Sequence, residues 1–403
     1  MTIIRSADNE QFIKLAKVAL ISTGVWIMPI TENRSVAFAF KIYSLFMKGS
    51  CVMYFSLLFA ETIRLIIFKY DMDVILASVG VLFNAAKIML KVFIYLKYHI
   101  LEHFEDVIEK ERALWNSDNE ELKALYRTKV RHCNVFVITV FTSSLMAVTA
   151  LQLSGAFTAF ELAEYSKANN ITIEPHVMYQ SLFPFSKLDN IYWWLASQAL
   201  WWWVGLSYNT MTHAVFAILL IYSATQLEIL QIRLRNCIEP EFSETPNQML
   251  IKEKVVLLRK VTQDHKYVIN YVNHFNECTK YAILLEFLLT SLDTASVSVN
   301  IIKMKGAELS WLLSFLVLLV MQISLIAWTC NEIQVQSMAI ADAIFASRWY
   351  CLLDKEAIAY VHFMIVRAQK PLLMTIGPFG PMTTASALMV FKAAYSYVSI
   401  MKE

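Results

Sequence analysis

The segment PMTTASALMVFKAAYSYVSIMKE, Pro381 to Glu403, decides how the rest of the chain is read. It is long enough for a helix of roughly 30 Å, about one hydrocarbon thickness of a bilayer. Pro371, Gly377, Pro378, Gly380 and Pro381 precede it and separate it from any helix upstream. One face carries Thr384, Leu388, Phe391, Tyr395, Val398 and Lys402, at alternating spacings of four and three. The adjoining stripe is Ala385, Met389, Lys392, Ser396 and Ser399. A span that faces only lipid does not line a lysine and several hydroxyls along one side, because polar groups in hydrocarbon need partners or water. Two readings stay open. One face rests on protein and another on a wet path, or this is an ordinary final span whose Lys392 pairs with a carboxylate of a neighbouring helix.

The whole chain fits a membrane setting. Its 403 residues are 57% hydrophobic and only 17% charged, and the mean hydropathy is +0.49. A soluble domain of this length carries more charge, so the class is a polytopic all-α membrane protein. A net charge of +2 gives no ground for a nucleic-acid partner. The 10 Trp, 25 Phe and 18 Tyr suit membrane interfaces and apolar pockets. Cysteines stand singly at 51, 133, 237, 278, 330 and 351, without metal-ligand spacing. No cofactor is implied, and neither a nucleophile motif nor a phosphate-binding loop points to an enzyme.

Upstream of the final segment the apolar runs mark six further spans. Residues 1–35 are a cytosolic N-terminus whose apolar run from Val18 to Ile30 is too short to cross. That run reads as a helix dipping into the inner leaflet and ending near Gly24 and Pro29. Spans 1 to 4 occupy residues 36–230: Val36–Phe68, Val74–Leu96, an uncharged run from His132 to Phe160, and a longer one from Asn190 to Leu227. Lys87 and Lys91 mark the snorkelling inner end of span 2. The fourth run suits one helix that continues beyond the bilayer. Residues 231–280 form a charged, partly helical cytosolic segment. Residues 281–370 hold span 5 (Tyr281–Ile302), span 6 (Leu309–Asn331) and amphipathic helices after it, and residues 371–403 hold the last span.

Basic residues set the orientation. Arg and Lys crowd the segments before span 1 and between spans 2–3, 4–5 and 6–7, whereas the alternate loops hold Lys69, Lys167, Lys187, Lys303 and Lys305. The positive-inside rule puts the N-terminus in the cytosol and the C-terminus outside. The Asn170-Ile171-Thr172 sequon then lies outside, open to glycosylation at Asn170, and no cysteine falls in an outer loop. The long inner segments are helical in pattern, so a packed helical layer is expected there.

From span 6 onward the chain resembles the insect odorant receptors. The motifs are Asn331-Glu332 after span 6, Trp349-Tyr350, the turn with Arg367, Gln369 and Pro371, and the closing Lys-x-x-Tyr-Ser-Tyr at 392–397. Related gustatory receptors usually end in a Thr-Tyr and Gln-Phe pattern, absent here. The co-receptor of the family carries a longer insertion between spans 4 and 5, so the resemblance is to a ligand-tuning subunit. It implies a ligand-gated cation channel in the plasma membrane of sensory dendrites. Four subunits, co-receptor included, surround one pore lined by the last helix. A volatile odorant binds within the tuning subunit, in the outer half of the membrane. Val398 matches the apolar gate position, with Met401 or Lys402 the next facing the pore and Tyr395 further in. A lysine ring repels cations, so Lys392 is expected to pair with Asp293, Glu332 or Asp342.

The residues themselves outline a pocket. Trp201, Trp202 and Trp203 are consecutive, at roughly 100° steps, so at least one faces the bundle interior. Trp193 and Trp194 suit an interfacial belt. Opposite the tryptophans, Phe83, Met146, Ala150 and Phe315 lie at similar depth, with Ser143, Gln198 and Asn209 as the few hydrogen-bonding groups. A volatile of about ten heavy atoms, at roughly 0.5 kcal/mol per atom, gains about 5 kcal/mol, or a Kd on the order of 0.1–1 mM. Asp293 and Glu286 within span 5 are expected to pair with lysines, while His213 has no partner by spacing. A seven-helix receptor coupled to a G protein fits poorly, because the charge pattern puts the N-terminus inside and no Asn-Pro-x-x-Tyr motif is present. A transporter would show repeated halves.

Overall fold

The computed structural model describes residues 11–29, 33–70, 72–169, 181–238, 248–303, 307–347, 349–351 and 354–402. Ten α-helices follow one another among them: α1 Lys14–Ser22, α2 Arg34–Ile67, α3 Met72–Lys97, α4 His103–Trp115, α5 Glu120–Ala168, α6 Ile191–Ile238, α7 Gln248–Lys303, α8 Ala307–Ala346, α9 Lys355–Ala368 and α10 Thr384–Lys402. The described residues contain a single β-bridge, Thr375 to Pro381.

α6 is the axis of the bundle. It is apolar on every side, and such a helix belongs inside. From Tyr208 to Thr225 every one of its residues is buried. α5, α7 and α8 pack around it, and α3 and α1 close the remaining sides. The single long helix expected after Asn190 is α6. α7 begins at Gln248 and runs unbroken to Lys303, so the boundary expected at 280 falls inside one helix.

Local signals set the ends. Gly24, at φ +68°, lets Val25 N–H reach back to Leu20 C=O and Gly24 N–H to Ile21 C=O, closing α1. A Cβ there would come within 2.7 Å of Ser44 Cα, so only glycine allows α1 to end against α2. Asn119 and Asp354 side chains accept the first free N–H groups of α5 and α9. Before α10 the Pro/Gly stretch is a tight hairpin, with Met382 N–H on Met374 C=O and Ile376 N–H on Gly380 C=O. Asn276 of α7 accepts from both N–H and Oγ1 of Thr375, which fastens the hairpin to α7.

At one end of the bundle α1, α4, α9 and the extensions of α5 to α8 form a helical layer. Buried Phe12, Phe104, Tyr126, Tyr222, Val272, Phe275 and Val361 join it to the bundle as one apolar core. At the other end the core splits into two small clusters, one around Leu151, Trp311 and Leu312, the other around Tyr54, Leu58 and Ala85.

Six described helices, α2, α3, α5, α6, α7 and α8, are long and apolar enough to cross a membrane. α10, expected as the seventh span, is a 19-residue helix outside that set. Lys392 and its seryl, threonyl and tyrosyl hydroxyls lower its apolar character. Ser386, Ala387, Val390 and Ala394 bury its other face, and Leu388, Met389, Lys392, Tyr395, Ser396 and Ser399 are exposed on the chain. Of the two stripes recognised in the sequence, Thr384, Leu388 and Tyr395 of one and Ala385, Met389, Lys392, Ser396 and Ser399 of the other point away from the bundle, whereas Phe391 packs against its core.

Candidate functional site

A cavity opens between α2, α3, α5, α6 and α8, with about 650 Å³ of space between atoms when the part open to its surroundings is counted. Its wall is mostly carbon: Val81, Ala85, Ile88, Ala147, Val148, Leu151, Leu206, Trp311, Phe315 and Leu318, with Trp202 and Gly205 from α6. Polar atoms come from Tyr54, Asn84, Ser144 and Asn209. Asn209 donates from Nδ2 to Ser144 Oγ at 3.1 Å, which ties α6 to α5 at the cavity wall. Tyr54 stacks on Trp201 with ring centroids 6.2 Å apart, and its ring edge lies against Gly205, where a Cβ would approach Cε1 to 3.2 Å. A mostly apolar lining with a few polar groups is what small-molecule pockets have.

Of the sequence-expected pocket residues, Trp202, Asn209 and Phe315 line this cavity. The others are placed elsewhere. Phe83 is 43% and Met146 46% exposed, both directed away from the bundle. Ser143 bonds back to Thr139 C=O, and Ala150 packs at the rim of the Leu151 cluster. On α5 it is Ser144, Ala147, Val148 and Leu151 that face the space, about one residue round the helix from the expected Ser143, Met146 and Ala150. Gln198 holds the loop before α6, accepting from Ser181 N–H and Oγ. Trp201 lies behind Tyr54. Trp193 is exposed, but Trp194 is fully buried beneath Lys187 rather than in an interfacial belt. The residues missed, Tyr54, Asn84, Ser144 and Trp311, are single polar or aromatic residues on otherwise apolar faces. Asn84 had a usable signal, because it shares a helical face with Ile88 and Lys91.

One turn along α3 and α6 from the cavity sits a buried charge cluster. Lys87 Nζ lies 3.2 Å from Glu286 Oε1, and Lys91 pairs with Glu286 Oε2. His213 Nε2 is 3.4 Å from Lys91 Nζ and 3.9 Å from Glu286 Oε1. All four side chains are nearly fully buried. Glu286 therefore has the lysine partners expected of it. Lys87 and Lys91 do not snorkel, because a buried carboxylate holds them inside. His213, alone in the sequence, is a member of the cluster, brought there by tertiary packing.

The expected pore residues are less defined. Tyr395 is 75% exposed. The side chains of Val398, Met401 and Lys402, like Asn170 as a whole, lie outside the described residues. Lys392 is exposed, and among the described residues no carboxylate pairs with it, so the expected partners Asp293, Glu332 and Asp342 do not hold it within the chain.

Residues 71–395 match the family model described as 7tm Odorant receptor. Odorant receptor 10 of Aedes albopictus is 31% identical over 145 residues, 36% of this chain and 38% of that one. Odorant receptor Or2 of Anopheles gambiae is 26% identical over 36% of this chain and 38% of its own. The matched stretch thus spans under two-fifths of either relative. The solved insect olfactory receptor OR5 of Machilis hrabei superposes over 97% of both chains, with TM-score 0.77 at 12% identity. The same receptor in complex with eugenol superposes over 97% of both chains with TM-score 0.75 at 11% identity.

Proposed function

From the premise that this chain belongs to the 7tm odorant receptor family, we propose that it is the ligand-tuning subunit of an odorant-gated cation channel. The observation that carries this reading is the cavity around Trp202, Asn209 and Phe315, mostly apolar and within a fold shared along nearly its whole length with an olfactory receptor solved with eugenol. Such a cavity binds small apolar volatiles by shape and dispersion, and its few polar atoms fix orientation.

In this reading the helical layer is cytosolic, the N-terminus lies inside, and α10 crosses as a seventh span to an outer C-terminus. Residues 36–230 supply most of the odorant site, and residues 371–403 supply the pore helix. The exposed stripe with Lys392 and Tyr395 then faces other subunits and water in a heterotetramer with the co-receptor, where Val398 forms the gate and Met401 and Lys402 follow it. Ligand binding favours the open state by its differential affinity for it. Asn170 lies outside, open to glycosylation.

Whole-cell current decides. A panel of volatiles is applied to cells carrying this chain, the co-receptor, or both, under G-protein block. A cation current that needs both chains and survives the block supports the reading. A response abolished by the block overturns the channel, and current from this chain alone overturns the role of tuning subunit.

A further inference from the structure

Asn84 stands out in the cavity wall. It projects from α3 among Val81, Ala85 and Ile88, and its Oδ1 is buried without a hydrogen-bond partner among the described residues. The other carboxamide of the cavity, Asn209, is engaged with Ser144. A buried acceptor left unpaired is costly, and in a ligand site the missing partner is supplied by the ligand.

The chemistry of that partner is restricted. As placed, the Asn84 oxygen needs a donor, which an ester, ketone, ether or hydrocarbon cannot give. Were the amide turned over, the buried atom would be a nitrogen needing an acceptor. A hydroxyl both donates and accepts, so it satisfies Asn84 in either orientation. The surrounding carbon wall requires that the rest of the molecule be apolar. Among the described residues that line the cavity there is no Asp, Glu, Lys, Arg or His to hold a carboxylate or an amine.

We infer that the cavity selects a compact alcohol or phenol whose hydroxyl pairs with the Asn84 carboxamide. This rests on the reading of the cavity as the odorant site. A site built to pair a hydroxyl discriminates against the analogue that lacks it, because the protein group is then left unpaired.

The test uses the full chain with co-receptor and sets of ligands on one carbon skeleton: the alcohol or phenol, its methyl ether, the matching carbonyl compound and the hydrocarbon. In the wild type the hydroxyl compound is expected to have an EC50 about tenfold or more below that of its ether. Asn84→Leu, which keeps the branched four-atom skeleton without its polar atoms, brings the two within about threefold of each other, and Tyr54→Phe and Ser144→Ala leave the ratio in place. Ethers, carbonyls or hydrocarbons as potent as the alcohols in the wild type overturn the inference, and that comparison needs no variant. A ratio unchanged by Asn84→Leu, or erased instead by Tyr54→Phe, overturns the assignment to Asn84. Silence to every compound, with both subunits at the cell surface, removes the odorant-site reading itself and this inference with it.

Discussion

The two halves of α6 carry two kinds of packing. Towards its C-terminal half every residue from Tyr208 to Thr225 is buried, and the surroundings form one continuous core. Towards its N-terminal half Trp203 is half exposed, Trp201 and Trp202 are only partly buried, and the core breaks into small clusters around an open cavity. The same helix is thus a sealed axis at one end and a cavity wall at the other. A pocket needs unfilled volume, which weakens packing, and here that weakness is confined to one end. The charge cluster lies at the join.

The contrast breaks most severely at Glu286. Its carboxylate faces Lys87 and Lys91, both buried. Glu286→Gln leaves two buried ammonium groups short of a counter-charge, a change that typically costs about 3–5 kcal/mol. The expected outcome is a large loss of surface receptor and of thermal midpoint in detergent. Adding Lys91→Met should restore part of both, because it removes one of the stranded charges. A single variant that expresses and melts like the wild type would mean the cluster does not join the two halves.

Next in size is a matched pair of aromatic truncations. Phe275 is fully buried in the continuous core, and Phe275→Ala is expected to cost about 3–5 kcal/mol. Trp202→Ala enlarges a space that is already open, so its cost in stability falls below that range. Its cost in response should be the larger, with EC50 raised for every active odorant. Thermal midpoints and dose-response curves on both variants separate the two effects. Equal loss of stability in both would contradict the division of α6.

Gly205→Val probes the cavity from its wall. A Cβ at this position already approaches Tyr54 Cε1 to 3.2 Å, so the larger side chain moves the Tyr54 ring or fills the space. Overpacking of about 1–2 kcal/mol corresponds to about tenfold in EC50 for bulky odorants. The smallest active ones should change little, and a uniform shift across sizes would place the constriction elsewhere.

The long helices were legible because apolar runs, basic segments and Pro/Gly breaks are local signals. The cavity was only partly so. Trp202, Asn209 and Phe315 could be placed by depth and helical phase, but phase errors accumulate along a helix as long as α5. A turn of about one residue, roughly 100°, exchanges Ser143 for Ser144 and directs Met146 outward. Lys87 and Lys91 read as snorkelling because sequence shows charge and not the partner nearly two hundred residues away, Glu286. His213 was opaque for the same reason. Lys392 carries the opposite lesson. It is exposed on a single chain, and its surroundings in an assembly are a property of several subunits.

The smallest expected effect is a difference in pH response between the halves. Glu111 in the helical layer accepts hydrogen bonds from Gln11 N–H at 3.0 Å and Trp115 Nε1–H at 3.2 Å. Burial raises its pKa above the ordinary 4.5, more than these donors lower it. Below that value both folded and unfolded chains hold the proton. As pH rises through it, the unfolded chain ionises first, so the folded state binds more protons and stability falls until the raised folded value is passed. Glu111→Gln keeps an oxygen for Gln11 and Trp115. It should change stability near neutral pH by no more than about 1 kcal/mol while flattening the decline that begins above pH 4.5. The described residues of the cavity lining include no carboxylate, amine or imidazole, so the EC50 of a neutral odorant should stay constant over the same range. Thermal midpoints across pH, set beside dose-response curves at matched cytosolic pH set through the pipette, test both statements. An EC50 that follows the thermal midpoint would show that the helical layer and the cavity do not behave as separate regions.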